Sequence, residues 1–210
     1  KELVRVLASG IGSSTNPTRI ANTFQSAQGI IIKRDTIKQY IDYLKDSFLI
    51  EEALRYDVKG RKYIDTPVKY YFEDVGLRNA RLDFRQVEET HLMENIIYNE
   101  LRCRGYLVDV GVVNRRILDE ESGRMLSRQL EVDFIASLGN KRYYIQSAFH
   151  LPDEEKLRQE KASLLALSDG FKKIILVKDV MRPRRGDDGI LIMSVFDFLL
   201  YPHGLDEVFA

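Results

Sequence analysis

The residues best suited to chemistry lie in one stretch, Gln129 to Ala148. It reads as two strands joined by a Gly139-Asn140 turn, with Glu131 and Asp133 on the first and Gln146 on the second. Side chains alternate across a strand. The pattern therefore predicts Glu131, Asp133 and Ile135 on one face and Val132, Phe134 and Ala136 on the other. Tyr144, Gln146 and Ala148 share a face on the second strand. Pairing the two strands sets Asp133 beside Gln146, an arrangement that in a nuclease would hold a divalent metal. Such a metal polarises a phosphate and activates water, and a nearby lysine positions the water and stabilises developing charge. The position for that lysine, two residues past Gln146, is Ala148.

A helix over Val87–Arg104 must supply the third group. Met93, Ile96, Ile97 and Leu101 form its apolar side, and Glu94 falls beside that stripe, where a carboxylate needs a partner. Metal ligation and a buried salt bridge are both open, and the residues alone favour the salt bridge. Tyr106–Val113 is the next strand, followed by a polar loop over Asn114–Arg128 and then the Asp133/Gln146 hairpin. Leu151-Pro152-Asp153 starts a helix, Lys173–Lys178 is a buried strand, and Met181–Gly189 is a loop with three arginines. Ile190–Val195 and Phe196–Leu200 close the chain as a short strand and a short helix. This α-β-β-β-α-β order is that of a restriction-endonuclease-like mixed sheet.

The first part of the chain has a different pattern. Leu3, Val6 and Leu7 recur at helical spacing. Asn16-Pro17 supplies an N-cap and a proline at the first helical position. Asp35 caps a third helix with the stripe Ile37, Tyr40, Ile41, Leu44 and Phe48. Strands over Leu49–Asp57 and Val68–Phe72 then flank Val58-Lys59-Gly60-Arg61-Lys62, a basic glycine turn. Three helices and a basic hairpin describe a winged helix-turn-helix, in which the third helix enters a groove and the wing touches phosphate. Lys38 and Lys45 on the third helix, with Lys59, Arg61 and Lys62 on the wing, are the nucleic-acid-binding candidates. The expected fold is thus α/β (α+β): a winged-helix domain over residues 1–82, then a degenerate restriction-endonuclease-like (PD-(D/E)XK-type) domain over 83–210.

Composition narrows the classes. Lys+Arg and Asp+Glu number 32 each, so any nucleic-acid contact must rest on local patches rather than on net charge. No apolar run reaches the roughly 18–20 residues of a membrane span. Cys103 reads as a small core residue, and His91, His150 and His203 have no metal-ligand spacing. Together these predict a cytoplasmic setting without structural zinc. Gly10-Ile-Gly12-Ser-Ser lacks the preceding strand and the Gly-Lys-Ser/Thr ending of a phosphate loop, so it predicts a helix-ending turn and no ATP hydrolysis. The chain opens at Lys1 without an initiator methionine, which predicts that it is part of a longer protein.

Several stretches, spread in order along nearly the whole chain, carry a resemblance: Lys69-Tyr-Tyr-Phe-Glu-Asp74-Val-Gly76-Leu-Arg78-Asn79, Leu92-Met-Glu94-Asn95-Ile-Ile-Tyr98-Asn-Glu100-Leu101, and Arg104-Gly105-Tyr106. Glu131-Val-Asp133-Phe, Tyr144-Ile-Gln146-Ser-Ala148 and Asp197-Phe-Leu-Leu200 continue the series. In these the chain resembles the C-terminal region of bacterial and archaeal AAA-type ATPases that carry a domain of unknown function. The resemblance implies a covalently linked N-terminal ATPase domain that holds the ATP, then a winged helix and a nuclease-like domain. It places Glu94, Asp133 and Gln146 on the acid, acid and amide positions of the nuclease core, with Glu94 and Asp133 as the candidate metal ligands. The lysine-free Tyr-Ile-Gln-x-Ala strand is a feature of that branch.

The leading expectation is a non-catalytic module that binds nucleic acid or a protein partner and needs no cofactor of its own. A magnesium-dependent nuclease with a displaced lysine, Lys156 or Lys161, is the alternative enzyme. A protein-docking or self-association surface is the alternative without nucleic acid.

Overall fold

A computed structural model describes residues 1–118, 125–179 and 182–206. Among them are seven helices and eight strands, a mixed α/β architecture with the strand order β2-β1-β3-β4-β5-β6-β8-β7. Two compact units are formed. One comprises Lys1–Leu54 with Asp65–Asn99, the other Arg55–Ile64 with Glu100–Ala210. The expected division at residues 82 and 83 groups the β1–β2 turn and the start of the Glu94 helix differently.

The first unit begins with α1 (Glu2–Ser9), α2 (Pro17–Gln28) and α3 (Arg34–Asp46). Gly10 ends α1, its N–H bonded to the Val6 carbonyl, so the glycine run is the helix-ending turn expected. Asn16 caps α2 by accepting from the Arg19 N–H, with Pro17 at the first position. Asp35 does not cap α3. The helix starts two residues earlier, at Arg34, which puts Asp35 in its first turn and Lys33 at the cap. Ile37 and Ile41 are buried, whereas Tyr40 and Phe48 are exposed. Phe48 leaves the stripe because the chain leaves the helix at Ser47 and Phe48 takes a left-handed φ of 54°. β1 (Ile50–Asp57), β2 (Lys62–Phe72) and α4 (Val75–Arg81) follow. Asp74 caps α4 by accepting from the Leu77 N–H.

α5 (Glu89–Cys103) carries Glu94. Met93, Ile97, Tyr98 and Leu101 are buried, but Ile96 is 37% exposed. Cys103 is exposed as well, against the expectation of a core residue. It follows Leu101 by two positions, about 200° around the helix, and so leaves the apolar stripe.

The second unit is built on β3 (Leu107–Leu118), β4 (Met125–Leu138), β5 (Lys141–Ala148), β6 (Lys172–Val177), β7 (Arg184–Arg185) and β8 (Leu191–Ser194). β3, β4 and β5 run antiparallel in sequence, and β5, β6 and β8 are parallel. The expected polar loop over Asn114–Arg128 is mostly strand. Asn114 pairs with Gln129, and the ladder continues to Leu118 opposite Met125. Its polar composition reflects a solvated ribbon, not a turn. Residues 119–124 of that loop, and Met181 of the arginine loop, lie outside the described residues.

The register of β3 on β4 shifts between Asp109 and Gly111. Asp109 opposes Ile135 while Gly111 opposes Val132, so β4 carries one extra residue across from Val110. This bulge overturns the simple alternation expected for β4. Val132 and Ile135 share a face instead of opposing one another. Both enter a buried cluster with Tyr144, Ala148, Ile175 and Leu164. Gly111 makes the bulge possible: a Cβ there would lie 2.9 Å from the Val132 Cβ and 3.2 Å from the Ile135 Cδ1.

α6 (Glu154–Leu165), capped by the Asp153 side chain on the Lys156 N–H, covers this face through Leu164. On α7 (Val195–Leu200), Phe198 is fully buried, and Arg104 lies 4.4 Å from its ring centroid.

Candidate nucleic-acid interface

The three residues expected to form an acid–acid–amide site have distinct surroundings. Glu94 belongs to the first unit and is 9% exposed. Its Oε1 accepts from Lys69 Nζ at 3.0 Å and from the Tyr71 hydroxyl at 2.6 Å. Gly12, at φ 70°, presses against the same carboxylate, and a Cβ on it would lie 3.2 Å from Oε1. The buried acid thus has the salt-bridge partner that its position beside an apolar stripe requires.

Asp133 and Gln146 belong to the second unit, on β4 and β5. The β4–β5 ladder runs to Phe134 opposite Ile145. Beyond it, the Asp133 carboxylate accepts from the Ser147 N–H at 2.8 Å, so a side chain continues the ladder where the bulge disturbs the backbone. Gln146 Oε1 accepts from the Ser163 hydroxyl of α6 at 3.3 Å. Ala148 is 1% exposed, inside the apolar cluster, where a lysine would have to bury its charge. The two lysines that could replace it are both ion-paired: Lys156 with Glu160 at 2.6 Å and Lys161 with Asp188 at 2.7 Å. Among the described residues no cluster of three or more His, Cys, Asp or Glu could hold a metal ion.

The basic candidates separate in the same way. Lys38 is exposed on α3, and Lys45 is ion-paired with Glu52 of β1. Lys62 is exposed at the start of β2. Lys59 and Arg61 belong to the second unit and line a cavity of about 680 Å³.

Three segments build that cavity. The end of β1 and the β1–β2 turn give Tyr56, Lys59 and Arg61, the β4–β5 hairpin gives Ser137, Gly139, Lys141 and Arg142, and the segment after α6 gives Ser168, Asp169 and Phe171. The local sequence explains each. Asp57 Oδ1 accepts from the Gly60 N–H and closes the first turn, aided by a left-handed Arg61 at φ 51°. Gly139 at φ 59° closes the second. The parallel step from β5 to β6 sets the Asp169–Phe171 corner beside the hairpin, with Tyr144 donating to Asp169 at 2.5 Å.

The Arg142 guanidinium lies 5.8 Å from the Tyr56 ring centroid and 5.3 Å from that of Phe171. Both contacts are within cation–π range. A second hollow of about 300 Å³ shares Lys59 and adds Arg115 and Arg158. Lys59, Arg61, Arg115, Arg142 and Arg158 form no ion pair with a described carboxylate. Lys59 reaches only the Asn114 carbonyl, at 3.4 Å.

Charge is managed locally. Lys141 is engaged by Asp206 at 2.7 Å, whose hydrogen bond and charge raise the lysine above its ordinary value. Burial, reinforced by the Asp169 hydrogen bond and charge, pushes the Tyr144 phenol well above its ordinary value. Tyr144 therefore stays a neutral donor. The available positive charge on this surface comes from the five unpaired cations.

Residues 1–88 match a family model, the domain of unknown function DUF8612. The match takes in α1 to α4 with β1 and β2, and so includes Tyr56, Lys59 and Arg61 but not the hairpin of Asp133 and Gln146. An uncharacterized protein of Haemophilus influenzae is 32% identical over 200 residues, covering 95% of this chain and 45% of its own length. An uncharacterized protein of Methanocaldococcus jannaschii is 26% identical over 169 residues, covering 80% of this chain and 35% of its own length. The chain spans less than half the length of either relative. No solved structure matches it.

Sequence reasoning missed Tyr56, Arg142, Phe171, Arg115 and Arg158. Asn140-Lys-Arg-Tyr-Tyr, basic residues interleaved with aromatics directly after a turn, was the available signal for Arg142.

Proposed function

We propose that this chain is a non-catalytic nucleic-acid-binding module, carried in its full-length protein by an AAA-type ATPase. The observation that carries the reading is the cluster of unpaired cations, Lys59, Arg61 and Arg142, around a cavity flanked by Tyr56 and Phe171. Cations of this kind attract phosphate, and aromatic faces accept bases. A chain with no net charge concentrates them on one surface.

A winged helix followed by a lapsed nuclease core remains the fold reading. It is supported by the order α5-β3-β4-β5-α6-β6 and by the antiparallel, antiparallel, parallel sequence of strand pairings. Buried Ala148, and the engagement of Asp133 by a backbone N–H, favour binding over cleavage. The ATPase linkage rests on the sequence resemblance, and the relatives' greater length leaves room for such a domain.

Binding of labelled duplex and single-stranded oligonucleotides at about 50 mM and about 200 mM salt tests the proposal, because contacts to several phosphates weaken steeply over that interval. Binding that falls with salt is expected. Absence of binding at the lower salt would turn the assignment towards a protein partner.

A further inference from the structure

The two hollows of the second unit carry the reading further. The larger, at about 680 Å³, falls in the range of roughly 300–1,000 Å³ typical of pockets that enclose a small-molecule-sized ligand. It is not a flat basic face. A duplex keeps its bases stacked inside and would bring only phosphates to such a surface. An unpaired nucleotide can enter it.

The lining suits a nucleotide. Phe171 is 39% exposed and Tyr56 is partly exposed, and the Arg142 guanidinium lies within cation–π distance of both rings, so the three together offer a stacking surface. Ser137, Ser168 and the Asp169 carboxylate offer hydrogen-bonding groups to the edge of a base. The smaller hollow continues from Lys59 to Arg115 and Arg158, over a floor of Ala162, Leu165 and Ala166. Cations thus extend beyond the aromatic pocket, as the phosphates flanking a bound base would need.

We infer that this surface selects single-stranded nucleic acid, seating one unpaired base against Phe171 and the Arg142 guanidinium and the adjoining phosphates on Lys59, Arg115 and Arg158. The inference rests on the nucleic-acid reading above. DNA and RNA strands share this chemistry, and the two are separated by using both as probes.

The test uses the whole chain with single-stranded DNA, single-stranded RNA and duplex DNA of equal length, read by fluorescence anisotropy. A 2-aminopurine in each strand reports stacking. Single strands are expected to bind at least about tenfold more tightly than duplex, with quenching of the 2-aminopurine. Phe171→Leu should weaken single-strand binding roughly tenfold, the scale of one base–aromatic stack, and leave duplex binding little changed. Arg142→Lys keeps the charge and removes the plane, so it should act in the same direction even if Phe171→Leu does not fold. Equal or tighter duplex binding overturns the inference. So does unchanged single-strand affinity in Arg142→Lys while Lys59→Gln weakens it. Failure of both strand types to bind with salt sensitivity would instead overturn the nucleic-acid reading itself.

Discussion

Replacing Glu94 by glutamine isolates the part played by the buried acid. The change keeps the side chain's volume and one carbonyl oxygen, so the Tyr71 hydroxyl at 2.6 Å and Lys69 at 3.0 Å retain an acceptor. It removes the negative charge facing Lys69, which is 4% exposed. Breaking a buried pair by removing one partner costs about 3–5 kcal/mol. The retained acceptor places Glu94→Gln near the bottom of that range, at about 3 kcal/mol. Lys69→Met leaves the carboxylate buried without this lysine and should cost a comparable amount. The double variant removes both charges and should be less destabilised than the sum of the two. Urea denaturation of the four proteins, with and without magnesium, gives the coupling directly. Additive single effects below about 1 kcal/mol would refute the salt-bridge account. Stabilisation of the wild type by magnesium that disappears in Glu94→Gln would restore the acid to a metal site.

Three other outcomes follow from the fold. Gly111→Ala should destabilise by roughly 1–3 kcal/mol, the range for overpacking, because its Cβ meets Val132 at 2.9 Å; thermal or urea unfolding reads it. Asp133→Ala strips the acceptor from the Ser147 N–H and should cost about 1–3 kcal/mol without changing oligonucleotide affinity, whereas a catalytic role would be exposed by magnesium-dependent cleavage that this variant abolishes. At Asp188 burial favours protonation, but the hydrogen bonds from Lys161 and the Ile190 N–H, together with the lysine charge, outweigh it and hold the carboxyl below its ordinary value. A depressed carboxylate stabilises the fold above its unfolded pKa and loses that contribution as pH falls through the folded one. Asp188→Asn should therefore flatten the acid limb of the stability profile below about pH 4, measured as the unfolding midpoint against pH.

Much of the fold was legible because its signals are local. Asn16-Pro17, Asp153 and the Gly139-Asn140 turn do what their residue types dictate. The β4 bulge was not legible, since alternation carries no mark of an inserted residue until Gly111 is known to lie opposite Val132. The long β3–β4 ribbon was hidden by its polar composition, which describes solvent contact more than backbone state. At the candidate site, Lys59 and Arg61 were found because a glycine turn loaded with base stands out. Arg115, Arg158 and Phe171 were not, because only parallel crossovers and the packing of α6 bring residues so distant in sequence around one surface.

The salt dependence of oligonucleotide binding by the wild type and by a Lys59→Gln, Arg115→Gln, Arg158→Gln triple variant tests the central claim most directly. Each phosphate neutralised on a single strand contributes about −0.7 to the slope of log affinity against log salt. The triple variant should therefore bind weakly, with a slope shallower by about 2. A wild-type slope near zero, or one the three substitutions leave unchanged, would contradict the account.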